Sequence, residues 1–332
     1  MSTTGKPPRF SIIVPCYNRE QAIRATIDSC LAQRQGDFEL IIIDDGSSDS
    51  SVAVAQSYAD ARIVVREQAN AGPAAARNHG MRIARGDYLA FLDSDDAWYP
   101  GFLEAVDKAL VDNPERLVYG PIIVDRGVGR YWVKPDRAIA TGESIYDYLY
   151  VHGAFIQTST MVIPKALGAS VQWDEAITFG DNDQFAIDCW HTGIEFHMLD
   201  KPWTLYDDVL SDDALSQLPL TAGRSPRHLN FLDWMHGQHE HMSDAAWAGF
   251  RSHFESVGLA RENPKAALEL ILAARREGVL SAKGVLRQSL QSFAPRFYRK
   301  LVDRFVALRG RPLESIEPEP RSTIRTPPGV FR

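Results

Sequence analysis

The stretch at residues 38–50 reads FELIIIDDGSSDS. Its first half is a short, mostly apolar run of the kind found in strands that are buried on both faces of a sheet. Its second half consists of small and acidic residues, which favour a tight turn. The stretch therefore predicts a buried strand that places carboxylates at its carboxyl end.

Three more apolar runs of the same kind lie nearby in the chain. They are FSIIV at 10–14, RIVV at 62–65 and YLAFL at 88–92. Segments with helical spacing of their apolar residues alternate with these runs, at about 22–31, 50–59 and 73–85. The connections are short, as they are in the right-handed βαβ units of a parallel sheet. The first hundred residues therefore predict an α/β domain.

Beyond residue 94 the alternation becomes irregular, and we interpret this part as the second half of the same domain. Its predicted strands lie at 117–124, 155–163 and 195–206, and its predicted helices at 100–111 and 181–192. Loop-forming residues, a helical pattern and a proline-rich end follow in that order. We divide the chain into an N-terminal tail (1–9), one α/β domain (10–210), a linker (211–227), a helical region (228–309) and a disordered tail (310–332).

The composition is that of an ordinary globular protein, with 45% apolar and 24% charged residues in a chain of 332. A net charge of −7 argues against a globally basic protein that binds nucleic acid. Three scattered cysteines form neither a disulfide framework nor a zinc motif, so a reducing compartment fits best. No apolar leader or membrane-spanning run is visible. The predicted location is the cytoplasm, with a peripheral position on the inner membrane face left open.

Two of the predicted strands end in acidic clusters, DDGSSD at 44–49 and DSDD at 93–96. In an open parallel sheet the carboxyl ends of the strands border one crevice, so the two clusters should meet there. Converging carboxylates repel each other, and a bound cation offsets that repulsion. Oxygen ligands of this kind suit Mg²⁺ or Mn²⁺ shared with substrate phosphates. Each cluster alone would also fit a turn or a helix N-cap, but the pair favours a site.

The segment NAGPAAARN at 70–78 predicts a helix that starts at its Gly-Pro pair. Arg77 would lie about one turn into that helix, where its guanidinium can reach a phosphate or a base. An ion pair with an aspartate at a strand end is an equally suitable role. No G-x-G-x-x-G or P-loop motif occurs, which argues against dinucleotide-binding and P-loop proteins. No EF-hand loop is present either.

Four motifs occur in a fixed order, VPCYN at 14–18, IDDGSSD at 43–49, NAGPAAARN at 70–78 and FLDSDD at 91–96. Together they closely resemble the family 2 glycosyltransferases of the GT-A fold. The resemblance covers about residues 10–210. It implies an α/β, Rossmann-like mixed sheet flanked by helices, to which this chain adds a helical C-terminal extension.

Members of that family transfer a sugar from a nucleotide diphosphate donor to an acceptor hydroxyl and invert the anomeric centre. The resemblance implies that Asp95 and Asp96 hold Mg²⁺ or Mn²⁺. It also implies a set of residues that bind the nucleotide sugar. They are Pro15, Tyr17, Asp44, Asp45, Arg77, Asp93 and Ser94. A divalent ion at this place would stabilise the negative charge that develops on the departing nucleoside diphosphate.

Inversion needs a base that removes the acceptor proton, and the family places an acid at the start of a helix for this role. The matching segment here is FGDNDQF at 179–185. Asp181 is our choice of base and Asp183 is held in reserve, although Asp181 could also be a helix N-cap. Gly180 stands where the family usually has a first acid.

The donor expected from the resemblance is a UDP- or dTDP-sugar. The acceptor expected is a glycan or lipid-linked precursor of a bacterial surface polysaccharide. A Q-x-x-R-W motif is absent, which favours transfer of a single sugar over polymerisation. Tyr206, Asp207 and Asp208 stand where relatives often have a cation for the diphosphate, so that cation is not identified. The alternatives are a sugar-1-phosphate nucleotidyltransferase, whose Gly-rich basic loop is missing, and a non-catalytic nucleotide-sugar-binding module.

Side chains that could contact the acceptor lie between residues 125 and 180, but each also fits ordinary packing. They are Tyr131, Trp132, Trp173 and residues 157–160. Three histidines, His236, His239 and His241, predict a solvated helix surface better than a metal site.

Residues 283–311 combine eight basic residues with one acid and an apolar stripe at intervals of three or four residues. Pro295 is predicted to break the helix within this segment. A segment of this kind can lie on an anionic membrane surface. It can also pack its stripe on the catalytic domain or on a second copy in a homodimer.

Overall fold

A computed structural model describes residues 6–209 and 226–319. The predicted linker at 211–227 therefore lies outside the described residues except at its end. Residues 1–5 of the predicted N-terminal tail and residues 320–332 of the predicted C-terminal tail lie outside them as well.

The strands of the described chain form two sheets. In chain order they are β1 (Phe10–Cys16), β2 (Phe38–Asp44), β3 (Ile63–Glu67), β4 (Tyr88–Phe91), β5 (Ala97–Trp98), β6 (Leu117–Tyr119), β7 (Ile122–Asp125), β8 (Tyr131–Lys134), β9 (Val162–Pro164), β10 (Phe196–Met198) and β11 (Thr204–Asp207). The larger sheet has the order β10-β6-β9-β4-β1-β2-β3. Its strands β4, β1, β2 and β3 are parallel, as the four apolar runs predict, and β9 is antiparallel to both of its neighbours.

The smaller sheet has the order β5-β11-β7-β8 and contains strands that the sequence pattern had merged with others. The single strand predicted at 117–124 is in fact β6 of the larger sheet and β7 of the smaller one. The chain leaves one sheet for the other at Gly120 and Pro121, because proline cannot donate to a sheet ladder. The strand predicted at 195–206 divides into β10 and β11 in the same way.

Helices cover the sheet and form the C-terminal region. They are α1 (Ile23–Leu31), α2 (Ser51–Gln56), α3 (Pro73–Ile83), α4 (Phe102–Ala109), α5 (Lys165–Gly168), α6 (Asp181–His191), α7 (Pro226–Gly237), α8 (Asp244–Phe250), α9 (Ser256–Leu259), α10 (Pro264–Arg276), α11 (Ala282–Phe293) and α12 (Pro295–Arg309). Short π-helical turns lie at Asp147–Val151 and Arg251–Glu255, and 3₁₀ turns at Thr158–Thr160, His239–His241 and Leu313–Ser315.

The central strands are apolar at nearly every position because they supply two cores, one on each face of the sheet. Ile41 and Ile43 of β2 belong to one cluster, whereas Leu40 and Ile42 belong to the other. Successive side chains of a strand point to opposite faces, so a strand covered on both faces reads as a continuous apolar run. The first of these two cores continues into Phe231 of α7, which packs the helical region against the α/β domain.

The C-terminal segment agrees with the sequence prediction at one point and differs at another. Pro295 is the first residue of α12 and separates it from α11, as predicted from its missing N–H group. Residues 310–319 were expected to be disordered, but Leu313 and Ile316 are buried against Tyr99 and Ile123. Composition alone underestimated this segment because two apolar side chains suffice to dock it. Within the described residues, no helix has the length and apolar character required to cross a membrane.

Candidate active site

A cavity of about 530 Å³ lies where the carboxyl ends of the central strands face the beginning of α6. All four sequence motifs contribute to its wall, together with the segment before and at the start of α6. The predicted site residues that line it are Pro15, Tyr17, Asp45, Arg77, Asp93, Ser94, Asp95 and Asp181. Residues distant in the chain therefore meet at one edge of the sheet, as expected for parallel strands.

The two aspartates after β2 have different positions. Asp44 is buried, and its Oδ2 accepts hydrogen bonds from the backbone N–H groups of Gly46 (3.2 Å) and Ser47 (2.9 Å). Its Oδ1 has no hydrogen-bond partner among the described residues. Asp45 lines the cavity and accepts hydrogen bonds from the backbone N–H groups of Ala71 (2.9 Å) and Gly72 (2.7 Å). The structure thus places Asp45, and not Asp44, at the expected binding surface.

Arg77 lies one turn into α3 and is almost completely buried. Its Nη2 donates to Asp93 Oδ1 and its Nη1 donates to Asp181 Oδ2, each at 2.7 Å. The guanidinium carbon lies 4.5 Å from the centre of the Trp173 ring, a cation–π contact. Of the two roles that the sequence left open for Arg77, the structure shows the ion pair. This arginine joins the acid at the end of β4 to the candidate base on α6.

Asp181 is the first residue of α6 and follows a glycine with a left-handed backbone, Gly180 at φ 75°. A Cβ atom on Gly180 would lie 2.7 Å from the ring of Phe231. A side chain at this position would therefore be strained and would collide with the core. This explains why Gly180 stands where the family usually has an acid, and it leaves Asp181 as the acid that faces the cavity.

Asp183, the reserve candidate for the base, is buried away from the cavity wall. Its Oδ2 accepts a hydrogen bond from the Tyr150 hydroxyl and its Oδ1 accepts one from Asn182 Nδ2, both at 3.1 Å. Burial raises the pKa of Asp183 to about 7, opposed by the hydrogen bond from Tyr150. Because an acceptor cannot reach this carboxyl, the geometry favours Asp181.

The carboxylate of Asp95 faces the cavity at the end of β4. Burial and the negative charges of Asp93 and Asp207 together raise the pKa of Asp95 to about 6, while the positive charge of Arg19 opposes this shift. The Arg19 Nε lies 3.5 Å from Asp95 Oδ2. A raised pKa at an accessible carboxylate among other acids is the electrostatic signature of a place that favours a cation.

Asp96 was expected to be a metal ligand, but its side chain points away from the cavity and is fully buried. Ser159 Oγ donates to its Oδ2 at 2.5 Å, and the backbone N–H of Asp207 donates to its Oδ1 at 3.1 Å. Burial and the charges of Asp95 and Asp93 raise the pKa of Asp96 well above its usual range. In this position Asp96 connects β11 to the acidic segment and holds Asp207 beside Asp95.

The residues present fit a divalent cation. Mg²⁺ is commonly held by one or two carboxylates together with phosphate oxygens of the substrate, and Asp95 offers such a carboxylate. Among the described residues, no three potential ligand side chains converge to make a complete metal cage. A cation here would therefore need oxygen atoms of the donor to complete its coordination.

Two charged residues of the cavity wall were not selected from the sequence as site residues. Arg19 lines the cavity one residue after the first motif, and Asp207 lines it at the end of β11. The same rule that identified Asp45 and Asp95, an acid at the carboxyl end of a strand, would have identified Asp207 if β11 had been recognised as a separate strand. Gln157 and Thr158, considered for the acceptor, also line the cavity.

The aromatic residues considered for sugar stacking lie elsewhere. Trp173 is buried in the core and stacks on Phe185 with 4.1 Å between ring centres. Tyr131 and Trp132 lie beside α12, at a separate cavity of about 260 Å³. At the histidine cluster, His236 hydrogen-bonds Glu255 and His239 packs on Trp247. None of these residues lines the cavity of the candidate site.

Comparisons with known proteins identify the family and the fold of the chain. The profile of the family described as Glycosyl transferase family 2 matches residues 11–172. The amylovoran biosynthesis glycosyltransferase AmsB of Erwinia amylovora is 30% identical over 211 residues, which cover 60% of this chain and 70% of AmsB. The chain belongs to glycosyltransferase family 2. The uncharacterized glycosyltransferase EpsJ of Bacillus subtilis is also 30% identical, over 64% of this glycosyltransferase and 64% of EpsJ.

Solved structures show that the glycosyltransferase has the expected GT-A fold. Residues 1–349 of S. aureus TarS in complex with UDP-GlcNAc align with a TM-score of 0.60 at 18% identity, over 90% of this chain and 92% of that one. The mannosyltransferase PcManGT of Pyrobaculum calidifontis, in complex with GDP-Man and Mn²⁺, aligns with a TM-score of 0.50 at 15% identity, over 92% and 87% of the two chains. At these identities the likeness concerns the fold.

Replacement of Arg77 should reveal how strongly it balances the two acids. In Arg77→Met, the carboxyl groups of Asp93 and Asp181 lose their common partner. We expect a loss of about 3–5 kcal/mol in the free energy of unfolding, because an unpaired charge remains in a partly closed cavity. Urea denaturation measures this, with Arg82→Met on the exposed face of the same helix as the control. A loss below about 1 kcal/mol, or an equal loss in the control, would contradict the bridging role.

The raised pKa of Asp183 predicts how the stability of the protein changes with pH. The folded protein holds this proton up to about pH 7, whereas the unfolded chain releases it near the ordinary value of 3.8. The stabilisation from the protonated carboxyl is therefore lost as the pH rises through that interval. Asp183→Asn does not ionise, so its stability relative to the wild type should increase by about 2–4 kcal/mol between about pH 4 and about pH 8.

Urea denaturation at several pH values measures this difference. The control is Asp112→Asn at an exposed position, which should follow the wild type. A variant Asp183→Asn whose stability parallels that of the wild type at every pH would show that the carboxyl is ionised in the folded protein.

Proposed function

We propose that the protein transfers a single sugar, with inversion, from a UDP- or dTDP-sugar to a hydroxyl of a glycan or lipid-linked acceptor, with Mg²⁺ or Mn²⁺ as cofactor. One observation carries the proposal. Asp95 and Asp181 face the same cavity, and Arg77 connects Asp181 to Asp93 two residues before Asp95. The cavity therefore combines a place for a cation with a separate carboxylate for the acceptor.

The donor assignment rests on the pocket and on what related folds bind. TarS is described in complex with UDP-GlcNAc and PcManGT in complex with GDP-Man and Mn²⁺. In this chain the half-exposed ring of Tyr17 forms part of the cavity wall near Asp45. An aromatic face beside a hydrogen-bonding carboxylate suits a nucleobase, which stacks on the ring while its polar edge meets the acid.

Different residues would serve the acceptor and the donor, on two sides of the cavity. On the acceptor side, Arg77 holds Asp181 Oδ2, so Oδ1 is the oxygen that would take the proton from the attacking hydroxyl. On the donor side, Asp95 would hold the cation and donor together. The cation, when bound, stabilises the charge that develops on the departing diphosphate.

Arg19 supplies the cationic group that the sequence left unidentified. It lies at the cavity wall and pairs with Asp95 at 3.5 Å, a loose distance for an ion pair. With the Asp95 carboxylate on a cation, the guanidinium of Arg19 would be available to a diphosphate oxygen, for which its planar fork is suited. This assigns Arg19 to the leaving group and Arg77 to the position of the base.

The biological setting follows from the relatives. AmsB is named for amylovoran biosynthesis, which supports a role in the synthesis of a bacterial polysaccharide. All three cysteines are free and buried, in agreement with action in a reducing compartment such as the cytoplasm. The alternative of a sugar-1-phosphate nucleotidyltransferase lacks support, because the loop after β1 contains no glycine and a single arginine.

Donor binding can be tested by thermal stability. UDP with Mn²⁺ should raise the Tm by a few degrees at saturating concentration, because ligands that bind only the folded state stabilise it. In Asp95→Asn the stabilisation by UDP should no longer depend on Mn²⁺. The same variant without ligand should be more stable than the wild type at neutral pH, because the repulsion by Asp93 and Asp207 is gone. Unchanged Mn²⁺ dependence in Asp95→Asn would remove this residue from the metal site.

The base assignment is tested by two matched variants on α6. With whichever nucleotide sugar is turned over, Asp181→Asn should lower kcat by about 10²–10⁴, as expected for loss of a general base. Asp183→Asn, two residues away and buried, should retain kcat within about tenfold. The reverse order of the two activities would identify Asp183 as the base. Donor binding that is followed by no turnover in any variant or in the wild type would support the non-catalytic module.

A further inference from the structure

The last two helices of the chain have their polar sides turned inward. On α11 the buried residues are Gln288 and Ser292, and Ser292 shares a hydrogen bond with Ser256 at 2.8 Å. On α12, Arg299 and Asp303 face the catalytic domain, and the only buried residue of this helix is Val306. A helix on the surface of a globular protein normally has the opposite arrangement, with its apolar side inward.

Six large apolar side chains of the two helices are exposed, and they recur along the helices at helical spacing. They are Leu286, Phe293, Phe297, Leu301, Phe305 and Leu308, with exposed fractions from 42% to 79%. We call the surface formed by these six side chains the outer stripe. Single exposed apolar residues are common, but a continuous row of six large ones marks a surface that meets an apolar partner.

Buried ion pairs hold α12 in this orientation. Asp303 accepts a hydrogen bond from Arg126 Nε at 2.8 Å, and Arg299 Nη1 donates to Asp208 at 3.0 Å. Arg126 also pairs with Asp208, and these four side chains are mostly shielded from water. Rotation of α12 to bury the outer stripe would leave these shielded charges unpaired, which is strongly unfavourable. The outward position of the apolar residues is therefore built into the structure.

The charges beside the outer stripe are positive. The basic residues of the two helices that are exposed are Lys283, Arg287, Arg296, Lys300, Arg304 and Arg309. The one acid between residues 283 and 311 is Asp303, which is turned inward and paired. A partner of this surface must therefore combine an apolar interior with a negatively charged rim.

We propose that the outer stripe docks on the surface of an anionic lipid bilayer, with its six apolar side chains inserted below the headgroups and the flanking basic residues on lipid phosphates. A second copy fits less well, because two such faces would bring like charges together. The chain's own end, residues 320–332, carries arginines and no acid, so it lacks the complementary charge as well.

Docking would also orient the candidate active site. Asp208, which anchors α12, directly follows Asp207 in the wall of the cavity. One short segment thus belongs both to the cavity and to the anchor of the docking helix. This goes beyond the transfer reaction proposed above, and it suits an acceptor that is itself held in a membrane.

Vesicle sedimentation tests the proposal with the full chain. We expect binding to vesicles of equimolar phosphatidylglycerol and phosphatidylcholine, weaker binding at high salt, and little binding to phosphatidylcholine alone. Phe297→Gln/Leu301→Gln should weaken binding by at least about tenfold. The matched control is Leu268→Gln/Leu272→Gln on α10, at two positions of similar exposure, which should bind like the wild type.

Charge is tested separately. Lys300→Gln/Arg304→Gln should weaken binding to the anionic vesicles on the order of tenfold, since each basic side chain near the surface adds to the attraction. Lys265→Gln/Arg276→Gln removes the same charge from exposed positions of α10 and should have little effect.

Three results would overturn the proposal. The first is that the wild type binds to neither kind of vesicle. The second is that the α10 control variants lose as much binding as the variants of the outer stripe. The third is a dimer that Phe297→Gln/Leu301→Gln converts to monomers, without any vesicle binding.

The shift of Tm with UDP and Mn²⁺ reports the fold and the cavity of each variant. If that shift is absent from the wild type while vesicle binding follows the expected pattern, the donor proposal fails and the docking proposal stands.

Discussion

The geometry of the candidate site depends on one buried guanidinium. Arg77 binds Asp93 from the end of a central strand and Asp181 from the start of α6, and it rests on the ring of Trp173. Without this cation the two carboxylates would repel each other in a partly closed cavity, and neither would have a fixed direction. The same contact sets the position of the start of α6 relative to the end of β4, because each acid belongs to one of these elements.

The negative charges around Asp95 are only partly balanced by positive ones. Arg19 is a distant partner for Asp95, and Asp93 and Asp207 add further negative charge around it. Asp96 is satisfied by Ser159 and by the backbone of Asp207, so it maintains the cluster without contributing to it directly. An excess of negative charge at an accessible carboxylate is the arrangement on which the proposed cation site rests.

The C-terminal helices follow a different physical rule from the rest of the molecule. In the sheet, apolar side chains alternate between two cores and are covered on both faces. On α12 an ionic cluster around Asp208 replaces the apolar contact, and the phenylalanines remain outside. Because these charged residues have their partners inside the protein, the large apolar residues of α12 are left at the surface.

The four apolar runs, their order and their acidic ends predicted the parallel sheet and the crevice that the acidic clusters share, because strand burial and short crossovers follow from the local sequence. The choice of Asp181, which lies at none of these strand ends, came from the resemblance to the family 2 glycosyltransferases. The direction of individual side chains was not predictable. Asp44 and Asp45 are adjacent acids, yet only the turn geometry decides that Asp45 faces the cavity. Likewise, the spacing in α12 shows an apolar side, but whether that side faces the core or the exterior depends on where Arg126 and Asp208 find their partners in the folded chain.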